Sequence, residues 1–380
     1  MRALRLCLGG LGLALGWAMV ARAGSMVTIL DAGAPMVQAL SRNAQSWSGG
    51  YTMSYAIGGR WRDGAMTVID QPGAFMDFHY GISDDGSVVS GDLYLDDAVA
   101  FRWENGVLTQ LLGEGDVWSY SGLCSNLSAD GDIVVVTAGY QGNPRPAYWQ
   151  GGVRTFLALP DGTTGGFASS ISADGRAIVG GTSEEGIFNP TIWHDGVVSV
   201  LPNLAGGSDF ASPNVVNDDG TVVAGTATSA TGNHLVRWVN GQLEQLSHYD
   251  IGGTAPSTFD ISSDGSIILG SFGYRNEFRG MIWREGLGLR TFQAYAQNHY
   301  GLSLTAALGN YSYFYEPFQM TSDGRYFTGT FYDENYNGRQ YMVYLDPADY
   351  VVPEPSSVCL VGCAVVGLLW AGRRSQMGLN

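Results

Sequence analysis

One pattern recurs down this chain: a small polar residue, one further residue, Asp-Gly, an apolar run ending in Gly, a spacer, Trp, a short Gly turn and a last apolar segment. The clearest copies are Ser83-Asp84-Asp85-Gly86 with Gly91 and Trp103, Ser128-Ala129-Asp130-Gly131 with Trp149, and Ser172-Ala173-Asp174-Gly175 with Gly180 and Trp193. Two more are Asn217-Asp218-Asp219-Gly220 with Gly225 and Trp238, and Ser262-Ser263-Asp264-Gly265 with Gly270 and Trp283. A worn first copy reads Ser41-Arg42-Asn43-Ala44 with Gly49 and Trp61; a last copy, Thr321-Ser322-Asp323-Gly324 with Gly329, lacks the Trp. Starts at 41, 83, 128, 172, 217, 262 and 321 are spaced 42, 45, 44, 45, 45 and 59. A period of this size marks stacked supersecondary units, with an insertion in the last gap.

Turn chemistry cuts each copy into four apolar pieces, because Asp-Gly supplies the positive φ that tight hairpins need. Four antiparallel strands in about 44 residues is the size of a propeller blade. Seven copies predict an all-β, seven-bladed β-propeller of four-stranded blades over residues 24–346. The seventh copy stops after its third strand at Tyr344-Leu345, whereas Met26-Val27-Thr28-Ile29-Leu30 resembles the fourth strands elsewhere. The N-terminal strand is therefore expected to complete the last blade and close the ring, leaving no exposed sheet edge. Glycine, 55 of 380 residues, fits many turns and argues against helices in this body.

The two ends read as addresses. Residues 1–23 place Arg2 and Arg5 before an apolar run over 6–20 and Ala21-Arg22-Ala23, the order of a secretory signal cleaved before Gly24. An uncleaved anchor is the alternative. After a linker over 347–357 containing Pro353-Glu354-Pro355, residues 358–372 are apolar and Arg373-Arg374 follow. This order resembles the PEP-CTERM sorting signal, and the resemblance implies processing by the membrane enzyme exosortase near Pro353, Glu354 and Pro355. Residues 358–380 are then a transmembrane sorting helix, with Arg373 and Arg374 on the cytoplasmic side. A permanent membrane tail is the alternative. The repeats themselves look like the HAF-type extracellular repeats of exported bacterial proteins, a family that brings no catalytic residues to carry over.

Charge and residue types exclude several chemistries. The formal net charge is -16, which repels phosphate backbones and sets nucleic acid aside as a partner. All 19 basic residues are Arg, so P-loop and Schiff-base mechanisms are absent. The five histidines form no His-x-x-x-His pair, and no Gly-x-Ser-x-Gly elbow or Cys-x-x-Cys occurs. The Asp-Gly turns offer too few oxygens for calcium and are read as turns. Asp333, Asn335 and Asn337 alternate as ligand types ahead of Gly338, but Tyr344 stands where the twelfth-position Glu would be, making this a weak metal candidate. No cofactor is called for. The recurring Trp is expected to pack between sheets.

Function is expected on the face that carries the second hairpins and the blade-to-blade links. Length variation falls there, at 141–145, 184–189, 229–233, 332–340 and the insertion 293–317. Tyr300, Tyr311, Tyr313, Tyr315, Tyr332 and Tyr336 gather in or near that insertion, and flat amphipathic rings suit stacking on sugars or gripping a protein. An aromatic lid packed on its own blade is the equal alternative. The sequence thus reads as a non-catalytic exported surface or matrix protein, transiently anchored in the inner membrane, binding exopolysaccharide or a protein through these loops. A polysaccharide hydrolase or lyase working in the propeller channel is the alternative from another class. A purely architectural protein is the third.

Overall fold

The computed structural model describes residues 24–29, 37–50, 58–63, 65–69, 76–94, 98–111, 123–140, 143–184, 187–206, 210–246, 256–274, 277–308, 316–332 and 338–351. Over these the chain forms seven four-stranded antiparallel sheets, one per sequence repeat. Blade 4 shows the plan, with an inner strand Gly165–Ile171, then Ala177–Glu184, Ile187–His194 and an outer strand Val197–Val200. Inner strands contact one another in repeat order. That of blade 7, Glu316–Met320, also contacts Ala39–Leu40 of blade 1, which closes the ring. The N-terminal strand β1 (Met26–Ile29) pairs antiparallel with Gly338–Tyr344, Met26 opposite Tyr344, and completes blade 7 as expected.

The repeat motif is a hydrogen-bonded cassette. In blade 4 Ser172 Oγ donates to Asp174 Oδ1 (2.6 Å) and accepts the Ala177 N–H (2.9 Å), while Asp174 Oδ1 also accepts the Arg176 N–H (3.0 Å). Ser83, Ser128, Ser262 and Thr321 repeat these bonds. Asn217 in blade 5, and Ser41 with Asn43 in blade 1, keep the cassette with one exchange each. Turn chemistry therefore occupies these carboxylates.

The turn glycine has a second duty. Gly220 sits at φ +76°, and a Cβ there would lie 2.5 Å from the Ala177 Cβ; at Gly131 it would lie 2.7 Å from Val88. Each of these neighbours opens the second strand of the preceding blade. The motif thus shapes its own hairpin and seats it against the blade before.

Tryptophan packs where it was expected to. Trp103, Trp193, Trp238 and Trp283 are buried, and two of them reach back to the link that precedes their blade: Trp193 Nε1 donates to Ala158 O (2.6 Å) and Trp238 Nε1 to Pro202 O (2.8 Å). Arginine ties neighbouring blades as well. Arg60 of blade 1 donates to Gly86 O (2.8 Å) and stacks 5.2 Å from the Trp103 ring of blade 2.

Two expectations are corrected. Glycine content argued against helices, yet α1 (Phe292–Tyr300) and α2 (Leu304–Leu308) fill the wedge between blades 6 and 7. Local sequence explains this. Thr291 Oγ1 caps the Ala294 N–H (3.2 Å), Gly301 ends α1 at φ +64°, and Phe292, Tyr295, Ala296 and His299 bury one face at i, i+3, i+4, i+7. Three of the four hairpins expected to vary in length are also tight: Tyr140 pairs with Asn143, Glu184 with Ile187 and Ser229 with Gly232, whereas the fourth is longer, from Tyr332 to Gly338. Length varies most in the links between blades, which share that face, from the one joining Ile69 to Met76 to the one joining Thr291 to Glu316.

Candidate functional site

The axis has a neck at the face of the Asp-Gly turns. The residue after the first motif position in each blade is Arg42, Asp84, Ala129, Ala173, Asp218, Ser263 or Ser322, and these segments are stitched into a circuit. Asp84 N–H donates to Ala129 O (2.9 Å), Ala129 N–H to Ala173 O (3.0 Å), and Asp174 N–H to Asp218 O (3.4 Å). Asn217 Nδ2 donates to Ser263 O (3.0 Å), Ser263 N–H to Ser322 O (2.8 Å), Ser322 N–H to Arg42 O (3.0 Å), and Asn43 Nδ2 to Asp84 O (3.1 Å). Arg42 crosses the ring to pair with Asp218 through Nη2, and its Nε lies 3.6 Å from Asp84 Oδ1. One cation thus bridges two carboxylates across the axis.

Behind Arg42 lies a cavity of about 120 Å³ lined by Asp218, Asp260, Tyr80, Asn126 and Gln319 among others. Small-molecule sites usually hold roughly 300–1,000 Å³, so the neck has room for water and not for a sugar residue. Asp260 is buried, its Oδ1 accepting the Ile261 N–H (2.8 Å) and its Oδ2 the Met320 N–H (2.7 Å) of the next blade. Burial pushes this carboxyl up to about 7, opposed by those two N–H donors and by Arg42 and reinforced by Asp218. Burial raises Asp84 as well, against the pull of Arg42. Gln319 Oε1 makes the matching inter-blade bond to the Leu40 N–H (2.7 Å), so Asp260 belongs to a layer of ties between inner strands.

The opposite mouth, on the link face, is aromatic. In blade 2 Phe78 lies 6.3 Å from Tyr80 and 5.8 Å from Tyr94 between ring centroids. At blades 4 and 5 Phe167, Phe188 and Phe210 follow one another at 6.0 and 6.4 Å, and Phe259 of blade 6 lies 5.4 Å from Phe318 of blade 7. Tyr80 is 36%, Phe188 37% and Phe210 42% exposed, large values for such rings. The inner strands present them through a recurring bulge: register shifts at His79/Gly81, Thr258/Asp260 and Pro317/Gln319 leave Tyr80, Phe259 and Phe318 as the extra residue.

Of the residues singled out from sequence, the structure places Tyr300 in a packed cluster. Its ring lies 5.7 Å from Tyr295 and 5.5 Å from Tyr350, and Arg284 Nη1 donates to Tyr295 Oη (2.5 Å) and Tyr300 Oη (3.5 Å). Val351 N–H donates to His299 O (2.7 Å) beside it. This is the lid-on-its-own-blade arrangement for Tyr300. Tyr332 ends the second strand of blade 7, away from that cluster in sequence. Tyr311, Tyr313, Tyr315, Tyr336, the metal candidates Asp333, Asn335 and Asn337, the sorting residues Pro353, Glu354, Pro355, Arg373 and Arg374, and residues 1–23 lie outside the described residues. Among the described residues no helix is long and apolar enough to cross a membrane, and no three His, Cys, Asp or Glu side chains gather as metal ligands do.

Sequence reasoning missed the aromatic mouth. The signal was one column of the repeat: three residues before the motif stand Gln38, Tyr80, Ser125, Ser169, Asn214, Phe259 and Phe318. That column varies in chemistry inside strands that are otherwise patterned.

No protein-family model and no curated protein matches the chain. Solved structures do. TolB from Acinetobacter baumannii aligns over 79% of this chain and 80% of its own at 12% identity (TM-score 0.44), and a TolB from Agrobacterium tumefaciens over 60% and 83% at 14% (TM-score 0.42). An oligogalacturonate lyase from Vibrio parahaemolyticus aligns over 85% of this chain and 94% of its own at 10% identity, TM-score 0.56. At such identities the likeness is one of fold. It nevertheless corrects the expectation of a non-enzyme, which rested on missing catalytic motifs: a lyase shares this architecture, so a missing motif does not exclude catalysis here.

Proposed function

We propose that this protein is an exported propeller, sorted through its C-terminal Pro-Glu-Pro signal, that engages a neutral polysaccharide across the link-face mouth of its channel. The observation that carries this is the set of partly exposed aromatic rings on the link face, in three groups at blade 2, blades 4 and 5, and blades 6 and 7. Aromatic faces stack on the C–H faces of sugars, each ring contributing about 1 kcal/mol beyond its buried area. Charge selects the class of glycan. With a net charge of -16 and carboxylates behind the mouth, a polyuronate is repelled. The exit of the chain suits the same orientation: Val351 is pinned beside His299, and Asp346 beside Gly24 lies near the Asp-Gly face. A tail leaving there turns the link face away from the membrane.

Binding of the full-length protein to immobilised neutral glucan, chitosan oligosaccharide and polygalacturonate tests this reading. Retention on neutral glucan, weakened about tenfold or more in a Phe188→Ala/Phe210→Ala protein, is the expected result. Retention on polygalacturonate, or retention indifferent to the two rings, contradicts it.

A further inference from the structure

The first and last described segments meet. Gly24 N–H donates to Asp346 Oδ2 (3.2 Å), Ser25 N–H donates to Asp349 Oδ2, and Asp346 N–H donates back to Ser25 Oγ (2.8 Å). Asp346 is fixed independently of Gly24, because its Oδ1 caps the short 3-10 turn Pro347–Asp349 through the Ala348 N–H (2.9 Å). The N–H groups of Ala348 and Gly24 hold its carboxyl below the usual carboxylate range. Two residues beyond Gly24 begins β1, the strand that closes the ring.

We propose that cleavage between Ala23 and Gly24 turns this amide–carboxylate contact into an ion pair that clamps the ring shut. Hydrolysis breaks the Ala23–Gly24 C–N bond: water gives its hydroxyl to the Ala23 carbonyl carbon and a hydrogen to the Gly24 nitrogen. The acid proton then passes to the amine, leaving a carboxylate on the released segment and an ammonium on Gly24. An amide offers one donor and no charge. The ammonium offers three donors and a full charge, already 3.2 Å from Asp346 Oδ2, while Asp349 Oδ2 accepts the next N–H along, that of Ser25. Processing at the front of the chain thereby stabilises the blade made from both of its ends. The inference rests on the export reading only for the position of the cut.

The composition provides the test. The chain contains no Lys, so once cut before Gly24 it has a single primary amine, the one at issue. The exported full-length protein is treated with sulfo-NHS-acetate, and intact mass follows the acetyl group. Acetylation at Gly24 about tenfold slower than in the unfolded wild-type chain or in folded Asp346→Asn/Asp349→Asn protein is expected, since each unit of raised amine pKa removes tenfold of the reactive form. Acetylation should also lower the melting temperature of the wild type and leave that of the double variant unchanged. Equal rates in folded and unfolded wild type, or a melting temperature indifferent to acetylation, would refute the clamp while leaving export intact. A mass beginning at another residue would refute it through the position of the cut.

Discussion

Gly196 and Gly220 share a backbone conformation, φ +77° and +76°, but only Gly220 has a neighbour where a Cβ would go, the Ala177 Cβ at 2.5 Å. Gly196→Ala should therefore cost about 1 kcal/mol of unfolding free energy for the left-handed backbone alone. Gly220→Ala adds overpacking and should cost about 2–4 kcal/mol; urea midpoints of the two variants check the difference. Acid-base behaviour also divides by residue. Turn hydroxyls hold Asp85, Asp130 and Asp219 below the usual carboxylate range, so the stability they add is present above about pH 4 and lost as pH falls through their folded values. Asp260 has the opposite sign. Its folded carboxyl keeps a proton up to about 7 while the unfolded one loses it near 4, so stability falls as pH rises between those values. Asp260→Asn should be less harmful at pH 8 than at pH 4 in denaturant titrations; an equal effect at both would contradict the assignment. The turn duty of Asp-Gly was legible in sequence. The inter-blade duty was not, because it depends on which residue of the previous blade sits opposite.

Among the elements, β1 bears most on closure. It pairs with one strand only, Gly338–Tyr344, and Val27 packs on the core shared by blades 6 and 7. Val27→Asp places an unpaired charge there and should cost about 3 kcal/mol or more. Hydrogen exchange should then quicken in 338–344 before it does in blades 3 to 5. Uniform quickening would mean that closure is not the weak point. The role of β1 was readable because a copy lacking its fourth strand and a spare strand at the other end complement each other. Helix α1 was readable too, from Phe292, Tyr295, Ala296 and His299 at helical spacing, but glycine content averaged over the whole chain hid a segment with its single glycine at the cap.

At the scale of the molecule, a ring of seven similar blades becomes a site only where the repeats differ. Arg42 against Asp218 breaks the symmetry at the neck, and Tyr80, Phe259 and Phe318 break it at the mouth. Blade number was legible because it follows from what the repeats share. The candidate site was not, because it comes from columns they do not share, and a rich stretch of tyrosines drew attention to the insertion instead. Of those tyrosines, Tyr300 serves packing. The central claim is that glycan meets the link-face mouth, and hydrogen exchange of the full-length protein with and without saturating neutral glucan tests it most directly. Protection is predicted in 76–80, 187–188, 210–212, 257–259 and 316–318, with none at the Asp-Gly turns 83–86 and 172–175. Protection confined to those turns, or spread evenly over the seven blades, would contradict the account.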